Sequence, residues 1–369
     1  MGSNSIETGE IRKFSGVDYA VFIVLLVIFS VVGLYHAIND RRRKKENPNE
    51  FLLGGRSMSV FPVAMSLTVT FMSALTILGT PVEMYVYNTM FMYLMLALVL
   101  AMCSAGIIFI PFFYKLGVTS TFQVVYMSFV LYAPCLALSA VTGLNLWGCV
   151  VGVCVVVTFY TTLGGMKAVI WTDTLQFLIM IAGLLAVFIK GCMETGGFSA
   201  AWDVAEREGR VKFDDFSFDP ATRHSFWSVV VGGGILWTVG FGVNQAQVQR
   251  CLSTSSVRKA QLAILVNTPG LVSIVLLTCL IGIVVFSFYL NCDPIKLGII
   301  EKRDQLLPLF VMDVLGDLKG IPGLFVSCTI SGSLRQLSDP AGVIPQVHGA
   351  VPMGWSPNLC YNTVQRVMG

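Results

Sequence analysis

The chain has 369 residues, of which 55% are hydrophobic and 12% charged, with a formal net charge of +3 and a mean hydropathy of +0.76. That balance leaves too few charges to surround a soluble core and no basic patch for nucleic acid, so it describes an all-α polytopic membrane protein. No zinc spacing, Walker loop, nucleophile elbow or nucleophile/base pair occurs, which argues against an enzyme. The ten cysteines sit mostly singly in apolar runs and read as small hydrophobes.

With about 20 residues needed to cross a bilayer, the first span is Tyr19 to Ile38. The run Arg41, Arg42, Arg43, Lys44 and Lys45 follows at once; short basic loops stay cytoplasmic, so residues 1–18 are expected outside. The second span, Phe61 to Leu78, lies in the stretch LTVTFMSALTILGTPVE. Its hydroxyl ladder of Thr68, Thr70, Ser73 and Thr76 and its ending at Gly79 and Pro81 predict a helix broken at membrane depth. Backbone freed there must be satisfied by neighbours, water or an ion, and the pattern therefore points to a coupling-ion site.

Further spans are expected at Phe91 to Tyr114, Val124 to Val141, Leu146 to Leu163 and Val169 to Ile189. In the last of these Asp173 and Gln176 share a helix face near the cytoplasmic end. A carboxylate at that depth is paired, hydrated or facing a water-filled path, and Lys167 could equally be its interfacial partner. Met193 to Ser225 is the largest stretch between apolar runs and reads as a solvated, acid-rich cap. Next comes Phe226 to Gln249, glycine-rich around Trp237 and ending in NQAQVQ, whose amides either bond between helices or, as we favour, line a polar cavity.

Leu262 to Leu290 and a short Ile321 to Leu334 complete nine spans. Alternation along them places Lys115, Lys167, Arg250, Arg258 and Lys259 inside, at helix ends. His36, His224 and His348 fall at span ends or in the tail and read as solvated.

Taken in order, FLLGGRSMS, SLTVTFMSALTILGTPVEMY, VLYAPCLAL, TLGGMKAVIWTDTLQ, RHSFW, GVNQAQVQR, NCDP and GIPGLFVSC resemble the sodium/solute symporter family, nearest the branch of sodium-coupled monocarboxylate, iodide and multivitamin transporters. The resemblance runs from about Asp18 to Leu334. It implies a LeuT-like transporter of two inverted repeats behind one leading helix, with the broken helices at Phe61 to Leu78 and Phe226 to Gln249. It also implies a multi-pass plasma-membrane protein that uses sodium as coupling ion, with no other cofactor, to carry a small anionic or vitamin-like solute. Backbone carbonyls of Val69 and Met72, with the Ser66 and Ser73 hydroxyls, would hold sodium. Asp173 and Gln176 would lie on its exit side, and Thr76, Tyr126, Trp237 and Gln245 would face the substrate. Carbonyl and hydroxyl oxygens suit a hard cation.

The chain departs from the family pattern in two places. After Thr119 to Phe122 it passes directly to QVVYMSFVLYAP, and after Ser331 to Leu334 it continues as RQLSDPAGVIPQVHGAVP. Arg335 and Gln336 then stand where a hydroxyl pair would complete the sodium site, and residues 335–369 form a polar, proline-punctuated tail that cannot extend a membrane helix. The expected domain is thus residues 19–334, with the second repeat truncated. The alternative reading is a non-transporting truncated isoform or a gene-model fragment of such a symporter, the former open to association with the full-length form.

Overall fold

The computed structural model describes residues 14–42, 56–72, 74–116, 139, 143, 145–219, 221–300, 302–318, 320–327 and 329. These are helical throughout apart from loops and one isolated bridge between Met58 and Thr254. The helices are α1 Gly16–Arg42, α2 Val60–Phe71, α3 Ala74–Val86, α4 Leu94–Ser104, α5 Ile110–Leu116 and α6 Leu146–Glu194. They continue as α7 Phe198–Arg207, α8 Gly233–Val243, α9 Gln245–Leu252, α10 Val257–Phe288 and α11 Leu306–Leu315, with a further helical stretch over 321–327. Single π-turns at Ala105–Phe109 and Trp227–Gly232 join α4 to α5 and lead into α8.

Most of these helices are apolar around their whole circumference, as expected of helices that face neighbours on one side and lipid on the other. Ile107, Ile108, Ile235 and Leu236 point outward, whereas Ala97, Ala101, Ala263 and Val284 are buried. Among the described residues, Thr89–Tyr114, Val169–Glu194 and Val257–Phe288 are each long and apolar enough to cross a membrane. The sequence suggests two spans, Leu146 to Leu163 and Val169 to Ile189, where the structure has the single helix α6; Gly164 and Gly165 between them lie within it. Two glycines cost a helix only about 1 kcal/mol each and do not by themselves end it. The span expected at Val124 to Val141 lies outside the described residues apart from 139.

Helix α10 packs on α2, α3 and α6, and α6 in turn carries α1 and α2. Contact with α3 is close: a Cβ on Gly282 would sit 2.6 Å from Met84 Cβ and 2.8 Å from the Pro81 carbonyl oxygen. At one face of the bundle Asp18 joins α1 to the start of the 321–327 stretch. Its Oδ2 accepts from Ser15 (backbone N–H 2.9 Å, hydroxyl 2.5 Å), and its Oδ1 accepts the Gly320 and Gly323 N–H groups at 2.8 and 3.2 Å.

Much of the stretch expected as a solvated cap is packed. Ala201 and Ala205 of α7 are buried where α7 meets α10. Arg210 donates to the Val86 and Tyr87 carbonyls at 2.5 and 2.6 Å and lies over the Phe286 ring, 4.8 Å from its centroid. A polar segment seals the mouth of an apolar bundle here by satisfying the carbonyls at the end of α3.

Candidate functional site

The two breaks expected at membrane depth have different local geometries. Helix α2 ends at Met72 (φ −83°, ψ 70°), whose N–H donates to the Val69 carbonyl at 3.1 Å. Gly79 and Pro81 do not make this break, because both lie inside α3. Thr70 donates back to the Ser66 carbonyl at 2.7 Å, a bond that by itself only bends a helix slightly and that also occurs at Thr174 and Thr278 inside unbroken helices. The second break is at Asn244, with extended backbone (φ −66°, ψ 122°). Its carbonyl accepts the Val248 N–H at 3.0 Å and so opens α9 in the manner of an N-cap.

Helix α2 packs against both α6 and α9, and this brings three buried polar side chains together. Ser66 Oγ donates to Asp173 Oδ2 at 2.5 Å and accepts from Arg250 Nε at 2.9 Å. Arg250 Nε is 3.7 Å from the same Asp173 oxygen, and both side chains are 1% exposed. The Ser66 hydroxyl thereby uses its proton on the carboxylate and a lone pair on the guanidinium, bridging an ion pair that water does not reach. Gln176, one turn beyond Asp173, is buried with no hydrogen-bond partner for Oε1 among the described residues; both amide atoms of buried Gln247 on α9 are in the same state. Buried amide oxygens without partners are costly, and they give this corner surplus acceptor capacity.

Ser66, Asp173 and Gln176 therefore fall on one polar corner beside the first break, with Val69 and Met72 at the break itself. Thr76 is half-buried four residues beyond Met72, and Trp237 is half-buried seven residues before Asn244, its ring stacked on Phe241 with 5.4 Å between centroids. Gln245 opens α9, but its side chain, like all of Ser73, Tyr126 and Arg335, lies outside the described residues. Hydroxyl and carboxylate oxygens beside a helix break are ligand types that suit a hard monovalent cation. Among the described residues there is no cluster of His, Cys, Asp and Glu that could hold another metal.

Three partnerships lie beyond what sequence reasoning identified. Arg250 reads as a cytoplasmic charge in the sequence and is a buried partner of Asp173 in the structure; the Lys167 side chain lies outside the described residues. His224, expected to be solvated, is buried, with Nε2 3.3 Å from Glu83 Oε2 and its ring against Tyr87 and Phe91. Glu83 also takes Arg223 at 2.7 Å. Thr68 Oγ1 donates to Asn267 Oδ1 at 2.7 Å; a lone amide in the apolar run of α10 is the signal that could have flagged that link.

Two broken helices, one in each half of an all-helical bundle, define an inverted-repeat, LeuT-like transporter fold. Residues 51–129 and 118–338 match the sodium:solute symporter family, and the chain belongs to that family. It is 40% identical over 360 residues to Sodium-coupled monocarboxylate transporter 2 of Homo sapiens, covering 92% of this chain and 58% of the relative. It is 39% identical over 356 residues to the Homo sapiens Sodium/iodide cotransporter, covering 90% of this chain and 55% of that protein. The chain thus spans less than two thirds of the length of these relatives. Its fold is similar to that of a Na+-coupled sialic acid symporter in a substrate-bound outward-open state, with a TM-score of 0.80 and 21% identity, over 94% of this chain and 77% of the other.

Proposed function

We propose that this chain serves sodium-coupled symport of a small organic anion, vitamin or halide, with a monocarboxylate the first candidate, across the plasma membrane. The observation that carries the reading is the contact of Ser66 on the broken helix with Asp173 on α6, in the turns before the break at Met72. By this reading an ion entering there joins two helices of the first repeat, next to the substrate side, where Thr76, Tyr126, Trp237 and Gln245 are assigned. Sodium is the coupling ion by this reading, held by Ser66, Val69, Met72 and Ser73 and released past Asp173 and Gln176. The names of the relatives, sodium-coupled carriers of monocarboxylate and of iodide, support it. We further propose that residues 1–18 and 193–225 face outside and Arg41 to Lys45 the cytoplasm, following the distribution of basic residues.

The test is uptake of labelled lactate, iodide or biotin into liposomes holding the chain, with inward sodium or choline gradients. Saturable, sodium-dependent accumulation of one of the three is expected. Accumulation that is the same in choline would refute symport. A second reading, a non-transporting form that associates with a longer carrier, is favoured by Arg335 and Gln336 standing where hydroxyls are expected. It predicts no uptake by the chain alone and altered uptake when the chain is co-expressed with a full-length relative.

A further inference from the structure

We propose that Arg250 is a tethered competitor of sodium: it occupies Asp173 and Ser66 when the ion is absent, is displaced when the ion arrives, and returns as the ion leaves. The proposal rests on the reading of Ser66 as an ion ligand and of Asp173 as the carboxylate that the ion meets on its exit side, and it goes further by assigning a role to a residue that neither a ligand set nor a solute pocket calls for. The Arg250 guanidinium donates to the Ser66 oxygen at 2.9 Å and stands 3.7 Å from the Asp173 oxygen that also accepts the Ser66 proton. A sodium ion coordinated by that hydroxyl and that carboxylate meets the like charge of the guanidinium within one contact distance of both oxygens. The two cations exclude one another.

This exclusion serves release. A carboxylate that is 1% exposed cannot lose its cation to the cytoplasm without leaving a bare buried charge. A guanidinium carried on the short helix α9, immediately after the break at Asn244, supplies the replacement.

Phenylglyoxal modification of Arg250 in the unaltered chain, purified into nanodiscs, provides the test. Modification is read by peptide mass spectrometry across a sodium titration with choline replacing sodium at constant ionic strength. Thermal unfolding over the same titration reports ion binding independently. The modification rate of Arg250 is expected to rise several-fold with the half-saturation seen in the unfolding curves, while Arg223, exposed on the loop before α8, reacts at a constant rate. In R250Q, with the competitor gone, half-saturation should fall by about tenfold, within the ordinary range for linked ligands. If sodium shifts unfolding while Arg250 reacts at an unchanged or slower rate, the competition is refuted and the ion site stands. If sodium shifts neither, both readings fall. Because the labelling uses the unaltered chain, it decides the matter even if R250Q does not fold.

Discussion

Asp173→Asn tests whether the buried ion pair holds the two halves of the bundle together. The substitution preserves shape and one acceptor for Ser66 but removes the charge opposite Arg250. At 3.7 Å and an effective dielectric of about 20, the attraction lost is roughly 4 kcal/mol. Breaking one side of a buried pair generally costs about 3–5 kcal/mol, because the remaining charge stays desolvated. D173N and R250Q should each destabilise the chain by that amount. The double variant D173N/R250Q leaves two amides around the Ser66 hydroxyl and no uncompensated charge, so it should recover about 2 kcal/mol or more relative to the sum. Thermal unfolding in detergent, followed by fluorescence from the six tryptophans and performed in choline chloride so that sodium does not contribute, measures all four corners of the cycle. Additivity within about 0.5 kcal/mol would mean that the two charges do not act on each other, and the structural argument for the corner would fail.

Gly282→Ala should cost about 1–3 kcal/mol, because the new methyl meets the Pro81 carbonyl oxygen, which is backbone and cannot rotate away. Gly79→Ala, with nothing within 4 Å of its Cβ position, is the control and should be neutral or slightly stabilising in the same unfolding assay. Thr68→Val removes the donor to Asn267, which is 0% exposed, and should cost about 1–3 kcal/mol, whereas Thr68→Ser should stay near the parent; equal losses would point to packing rather than the hydroxyl. Arg210→Gln should release the segment that follows α7 from the end of α3, seen as faster limited proteolysis within residues 208–222 with little change in the unfolding midpoint.

Periodicity and span length brought the apolar spans into view, since runs near bilayer length have few alternatives, whereas the inverted-repeat fold and the break within Phe226 to Gln249 came from the family resemblance. Local reading failed at the first break: Gly79 and Pro81 look like breakers, but both lie inside α3 and the chain unwinds earlier, at Met72. The site was legible in its hydroxyl and carboxylate members. Its arginine was not, because a lone Arg at the end of an apolar run is indistinguishable from an interfacial charge until α2, α6 and α9 are packed. Ser66 and Arg250 are 184 residues apart, and no spacing rule reaches that far. His224 was misread for a similar reason: its burial depends on Glu83, Tyr87 and Phe91 arriving from another element.

The Asp18 carboxylate ties the start of the first helix to backbone groups 302 and 305 residues later. During synthesis at about 5–20 residues per second, that clasp cannot close until roughly 15–60 s after Asp18 itself has been made. Helix α1 must therefore wait in the lipid with its anchor unmatched, and α6, its main neighbour, reaches the membrane first and can hold it in the interim. An Asp18→Ala chain would lose a late latch rather than an early nucleus, so its defect belongs to the final closure of the bundle, after the individual spans have inserted.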